Sequence, residues 1–308
     1  MWSGQGVQAR WLSAAGVLGP LIQLANPEED ASGLELAIGA DGAVVFGWQR
    51  AGGVRARVLS STGALGPVRY VSAATTDGLI LTTRKPLALA RSGTATFVWQ
   101  GESSHKRSFV KARSLTAKGV LSRTRTLARG DLVADPQIAA LSRGRTALAW
   151  TDERGVWVRM RTASGRLRHR VRLFGKGFEQ PRLASLPGGK VLVAANGDSG
   201  LIARTLSARQ KRGPTSKIAA GVNSYALGTR PSGSAWFLWA RGAFRGQDFV
   251  VRARSRRRSG KLGPTAHVAR DCAADPQLAV AARGPVLATW LSACGNMPGH
   301  RLVFAAGP

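Results

Sequence analysis

The chain has 308 residues, and 44% of them are hydrophobic. That is enough to fill a core and too much for a disordered chain. Lysine and arginine number 45 against 16 aspartates and glutamates, a net charge of +29. Such a balance favours polyanionic partners and excludes long-range attraction to cationic ones. No apolar run reaches the roughly 20 residues that cross a bilayer, so no transmembrane segment is expected. The stretch from Met1 to Arg10 lacks the basic-then-apolar order of a signal peptide, so none is visible.

The first predicted element is a hairpin from Val7 to Leu24, with Arg10 followed six residues later by Gly16, then Leu18-Gly19-Pro20. The next is a hairpin around Gly39-Ala40-Asp41-Gly42 that leads into Val44-Val45-Phe46-Gly47-Trp48. These two hairpin types alternate along the chain. The second type repeats its glycine and tryptophan as Gly42/Trp48, Gly93/Trp99, Gly144/Trp150, Gly233/Trp239 and Gly284/Trp290, with Gly189/Ala195 lacking the ring. The tryptophan slots are spaced by 51, 51, 45, 44 and 51 residues. The first type repeats as Arg10/Gly16, Arg57/Gly63, Arg113/Gly119, Arg159/Gly165 and Arg254/Gly260, and Arg204 has Gln210 in the glycine slot. Alternating or fully apolar runs around a glycine turn read as paired strands. The Gly…Trp hairpin supplies strands A and B, and the Arg…Gly hairpin supplies C and D. Pro86, Pro136, Pro181 and Pro276 are expected at the first residue of an A strand, where a missing N–H is harmless. No run has helical periodicity with caps.

A repeat of this length built of short strands predicts an all-β fold, a six-bladed β-propeller of four-stranded antiparallel blades. One domain is expected over 1–308, with blades near 34–85, 86–135, 136–180, 181–224, 225–275, and 276–308 joined by 1–33. The chain starts with a C–D hairpin and ends with an A–B hairpin. The closing blade is therefore expected to combine the C-terminal A–B and N-terminal C–D hairpins, leaving few sheet edges open. Arg301-Leu302-Val303-Phe304 reads as the start of a further strand C. It either takes the C place in the closing blade or frays.

The register assigns charges to faces. In a propeller the A–B and C–D turns share one face, and the B–C and D–A loops share the other. All acids except Glu35 and Asp41 fall in B–C or D–A segments. The opposite face is basic. Its C–D turns supply Lys118, Arg166, Arg168, Arg209, Lys211, Arg212, Arg256, Arg257, Arg258 and Lys261, the expected polyanion-binding set. The strand-C arginines are expected to lie along neighbouring strands with their donors on carbonyls or water. The tryptophans are expected to pack blade against blade. Cys272 and Cys294 flank the last A–B hairpin, where a disulfide would staple it and indicate an extracytoplasmic compartment. Without a Cys-x-x-Cys pair, zinc is not supported. No metal or other cofactor is expected. Gly197-Asp198-Ser199-Gly200 reads as an ordinary turn, since no histidine is placed to serve Ser199. Asp135 and Asp275 precede prolines at the mouths of two A strands.

The Gly…Trp and Gly-x-Leu-Gly-Pro hairpins resemble those of secreted bacterial β-propellers of the sialidase-like and related repeat families. The resemblance implies architecture. Sialidases carry Asp-boxes in the C–D turns, whereas here Ala15, Thr62, Lys118, Ser164 and Ser259 precede the turn glycines. They also use a tyrosine nucleophile, and this chain offers only Tyr70 and Tyr225. The expectation is thus a non-catalytic, exported binding or scaffold propeller, contacting an anionic polymer or acidic protein through its basic face. The alternatives are an assembly module of an envelope complex and a glycan-active hydrolase or lyase using the acidic B–C/D–A face. Specific nucleic-acid binding is not expected, because few aromatics accompany the basic turns. The sequence does not set the oligomeric state.

Overall fold

The computed structural model describes residues 6–13, 15–26, 31–50, 53–72, 79–80, 86–103, 105–243, 246–270, 273–292 and 301–307. The chain groups into two units, Met1–Ile138 and Ala139–Pro308. In the first, β1 (Val7–Ala9) and β2 (Ile22–Ala25) form a two-stranded sheet. A four-stranded sheet follows: β3 (Ser32–Ile38), β4 (Val44–Arg50), β5 (Gly53–Leu59) and β6 (Arg69–Tyr70). Next come β7 (Leu79–Ile80), β8 (Leu87–Leu89), β9 (Ala95–Glu102), β10 (Ser108–Leu115) and β11 (Arg125–Gly130), with β7 and β8 both on β9.

Strand β12 (Ala134–Ala140) contains the unit boundary and leads the sheet β12-β13-β14-β15, with β13 (Thr146–Asp152), β14 (Gly155–Arg161) and β15 (Leu167–Phe174). The second unit continues with β16 (Phe178–Leu186), β17 (Lys190–Gly197), β18 (Leu201–Leu206) and β19 (Arg212–Ala219). Then come β20 (Ser224–Thr229), β21 (Ala235–Ala243), β22 (Gly246–Arg256) and β23 (Leu262–Arg270). The last sheet has three strands, β24 (Ala273–Val280), β25 (Val286–Ser292) and β26 (Arg301–Gly307). All described pairings are antiparallel, and all but that of β7 with β9 join chain neighbours, as the alternating hairpins predict. Only Pro187–Gly189 is helical among the described residues, as a single 3-10 turn.

Of the two outcomes that the sequence left for Arg301-Leu302-Val303-Phe304, the structure shows the C place: β26 pairs with β25 in unbroken register from Val286↔Gly307 to Ser292↔Arg301. The N-terminal β1 and β2 pair only with each other among the described strands, so the expected joining of the two terminal hairpins in one sheet is not seen. Strand β8 starts at Leu87, directly after Pro86, as expected, whereas β12, β16 and β24 begin before their prolines. Asp135, Gln180 and Asp275 each precede a proline and lie at φ 51, 51 and 50°. In β16 and β24 the register skips there, so Gln180-Pro181 opposes Ala195 and Asp275-Pro276 opposes Trp290. The bulge leaves proline outside the ladder, where its missing donor costs nothing.

The tryptophan slots pack sheet on sheet, as expected. Trp99 is buried with Val54 and Val71 of the preceding sheet, and Trp239 with Leu201 and Ile218 of its own predecessor. Each ring hides on the order of 200 Å² and contributes roughly 5 kcal/mol of gross burial energy. Where Ala195 lacks the ring, Phe174 and Phe178 fill the space, tilted at 41° with centroids 5.7 Å apart.

The strand-C arginines also behave as expected. Arg113 donates from Nε to Ser122 O in its own sheet (2.7 Å) and from Nη1 to Val71 O in the preceding one (2.9 Å). Arg57 does the same to Gly66 O and Leu24 O, and Arg254 to Gly263 O and Ile218 O. Arg204 bridges to Leu173 O (3.0 Å). The guanidiniums of Arg57, Arg113 and Arg254 thus each tie carbonyls of two neighbouring sheets together, and Arg159 donates to Arg168 O in its own sheet.

Candidate functional site

The D–A and B–C segments of the second unit bring together the chemistry that the sequence scattered. Strand β16 starts with Phe178 and Glu179, and Glu179 faces Asn196 across the ladder to β17. Opposed residues share one side of a sheet. The turn Gly197-Asp198-Ser199-Gly200 closes through Gly200 N to Gly197 O (2.8 Å), with Gly200 at φ 98°. It is the turn that the sequence indicated. Asp198 sits against the D–A loop: a Cβ on Gly177 would stand 3.3 Å from its Oδ2. Two exposed carboxylates, Glu179 and Asp198, therefore share one end of this sheet.

The bulge beside them is held from the next sheet. Tyr225 is 2% exposed, and its hydroxyl lies 2.6 Å from Gln180 O and 2.9 Å from Ala194 O. A hydroxyl committed to two carbonyls in the core is not a nucleophile. The sialidase role of tyrosine therefore has no counterpart at Tyr225. The Arg182 guanidinium lies 5.8 Å from the centroid of the same ring.

The amide of Asn196 carries the arrangement into the neighbouring sheet, donating from Nδ2 to Val222 O (2.7 Å). Its Oδ1 is buried and accepts no hydrogen bond. Val222 belongs to the loop Gly221-Val222-Asn223 ahead of β20. Asn223 donates from its backbone to Ala240 O (3.0 Å) and from Nδ2 to Gly242 O (3.1 Å). This loop, Arg241-Gly242 of β21 and Val250 and Arg252 of β22 line a cleft of about 890 Å³. Among the described residues no three His, Cys, Asp or Glu side chains converge on a metal position.

The expected sorting of charges is not clean among the described residues. Arg154, Lys176 and Arg241 stand in the same B–C and D–A segments as Asp152, Glu179 and Asp198, so this end is mixed rather than acidic. The expected polyanion-binding set lies at C–D turns or the strand ends beside them. Lys118, Arg166, Arg168, Arg209, Lys211, Arg212, Arg257, Arg258 and Lys261 are exposed. Arg256 is half-buried beside Gly260, and burial lowers its pKa. Cys272 and Cys294, with the expected disulfide, lie outside the described residues. The bulges, Asn196 and the Arg241/Arg252 pair escaped the sequence reading. The recurring Asp-Pro and Gln-Pro steps at strand starts were the available signal for the bulges.

No protein-family model matches the chain. No curated protein matches it either. Solved structures do. A streptogramin B lyase is 15% identical, with a TM-score of 0.56 over 91% of this chain and 83% of its own. A catalytically inactive virginiamycin B lyase from Staphylococcus aureus, with quinupristin, is 12% identical, with a TM-score of 0.57 over 98% of this chain and 88% of its own. An α-L-arabinofuranosidase from Fusarium graminearum, with an iminosugar inhibitor, is 12% identical, with a TM-score of 0.55 over 90% of this chain and 92% of its own. These similarities show a β-propeller fold, the architecture that the hairpin repeats resemble. They also correct the expected function: the similar structures are enzymes, which runs against a non-catalytic scaffold. No helix among the described residues is long and apolar enough to cross a membrane.

Proposed function

We propose that the chain is a catalytic propeller, a glycan-active hydrolase or lyase whose site lies at the D–A/B–C end of the second unit. The observation that carries this reading is the joining of two features by one side chain. Asn196 faces Glu179 across the β16–β17 ladder and donates to Val222 O on the wall of the arginine-lined cleft. Glycoside cleavage uses two carboxyl groups, one to protonate the leaving oxygen and one to attack or to activate water. A lyase needs one such group as a base. Glu179 and Asp198 are assigned these roles. The lyase and arabinofuranosidase names among the similar structures support the class. The sixfold hairpin register supports six blades in one domain over 1–308, and export fits a glycan substrate.

The test is a screen of the purified chain against neutral and acidic oligosaccharides, read by reducing-end release and by absorbance of an unsaturated product. Turnover lowered at least about 100-fold by Glu179→Gln or Asp198→Asn is the expected result. Turnover unaffected by both substitutions would remove the site from this end of the fold.

A further inference from the structure

The cleft in the sheet β20–β23 has a property that the carboxylates beside it do not explain. Arg241 and Arg252 both line it, and among the described residues neither guanidinium has a hydrogen bond or ion pair. This contrasts with the strand-C arginines, whose guanidiniums are tied to carbonyls. Among the described lining residues there are two arginines and no aspartate or glutamate. The loop is shaped around one of them. Gly221 is at φ 59°, and a Cβ there would stand 3.2 Å from Arg241 Nε. Glycine both permits that backbone and leaves room for the guanidinium. Asn223 pins the opposite rim through Gly242 O.

We infer that this cleft is an oxyanion subsite. It would hold a carboxylate or sulfate group of the substrate, with Arg241 and Arg252 donating to its oxygens. The planar guanidinium fork matches both groups, and a charge-assisted pair is roughly twice as strong as a neutral hydrogen bond. The cleft volume of about 890 Å³ is of the size that takes a small-molecule ligand. The Asn196 bond to Val222 places the subsite next to Glu179, so an acidic sugar ring could be anchored in the cleft with its bond to be broken outside it. The inference rests on the catalytic reading for its meaning, but its test does not depend on turnover.

The experiment is calorimetric titration of the full chain with sodium sulfate and, separately, with sodium galacturonate at constant ionic strength, with sodium chloride as the control anion. Saturable one-to-one binding of sulfate or galacturonate is expected, about tenfold weaker or more in Arg241→Gln and in Arg252→Gln. Neither guanidinium bonds another described residue, so both variants should keep the wild-type melting temperature, which separates lost binding from lost folding. Stronger binding of galacturonate than sulfate identifies a carboxylate site, and the reverse identifies a sulfate site. Binding no stronger than that of chloride, or unchanged in the double variant, would overturn the subsite. If anions bind as expected while Glu179→Gln retains full turnover, the catalytic assignment fails and the subsite stands.

Discussion

Gln180 and Asp275 combine two restrictions on one residue. A side chain at positive φ costs of order 1 kcal/mol, and the following proline disfavours compact conformations further. Tyr225 holds the first of these bulges by its hydroxyl, and the bulge sets the direction in which Glu179 leaves the strand. Gln180→Gly should raise stability by about 1 kcal/mol in urea unfolding, because glycine relieves the strain. Tyr225→Phe should do the opposite, lowering stability by about 1–3 kcal/mol, since two buried carbonyls lose their shared donor. A Tyr225→Phe protein as stable as wild type would mean that the bulge holds itself. The glycine slot of the fourth C–D turn shows the same strain managed differently. Gln210 stands at φ 63°, and its Nε2 donates to His169 O at 2.9 Å. The sequence marked this slot as a departure, and only the side-chain bond shows why it is tolerated.

At the scale of strands and sheets, the arginine clamps are the clearest case of a repeat read correctly from the chain. A residue recurring in the C strands was expected to serve the sheets themselves, and the bonds of Arg57, Arg113 and Arg254 to two sheets meet that expectation. Arg254→Ala should cost about 2–4 kcal/mol, measured by chemical denaturation, because it removes two charge-assisted bonds and leaves Gly263 O and Ile218 O without that donor. Arg254→Lys should recover less than half, since one ammonium cannot serve both directions of the fork. Hairpin positions, strand order and the packing role of the tryptophans were legible because each depends on local periodicity and turn glycines. The place of β26 was not. Whether a terminal strand or a distant hairpin takes the edge of β25 depends on competing long-range pairings, and local pattern leaves both open. The A-strand starts were missed for a similar reason: proline signals the end of a ladder, while the bulge lets the strand continue past it.

For the whole molecule, net charge and the proposed site point to different residues. A charge of +29 drew attention to the exposed turn cations, yet the features that suggest chemistry are few and close together. Glu179 and Asp198 looked like two of many loop acids. Asn196 and Arg241 had no motif at all. Their relation arises from the stacking of β16–β19 on β20–β23, which puts residues from separate repeats on adjoining loops. A propeller built from similar sheets can place a site on any loop set, so architecture narrows the search to an end of the sheets and leaves the residues to be found there.

The proposed role of the carboxylates at the β16–β17 end is measured most directly by kcat for the best substrate of the oligosaccharide screen, compared among wild type, Glu179→Gln, Asp198→Asn and the double variant. A fall of at least about 100-fold is expected in each single variant and less than a multiplicative loss in the double, as for residues acting in one mechanism. Full turnover in the double variant would contradict it.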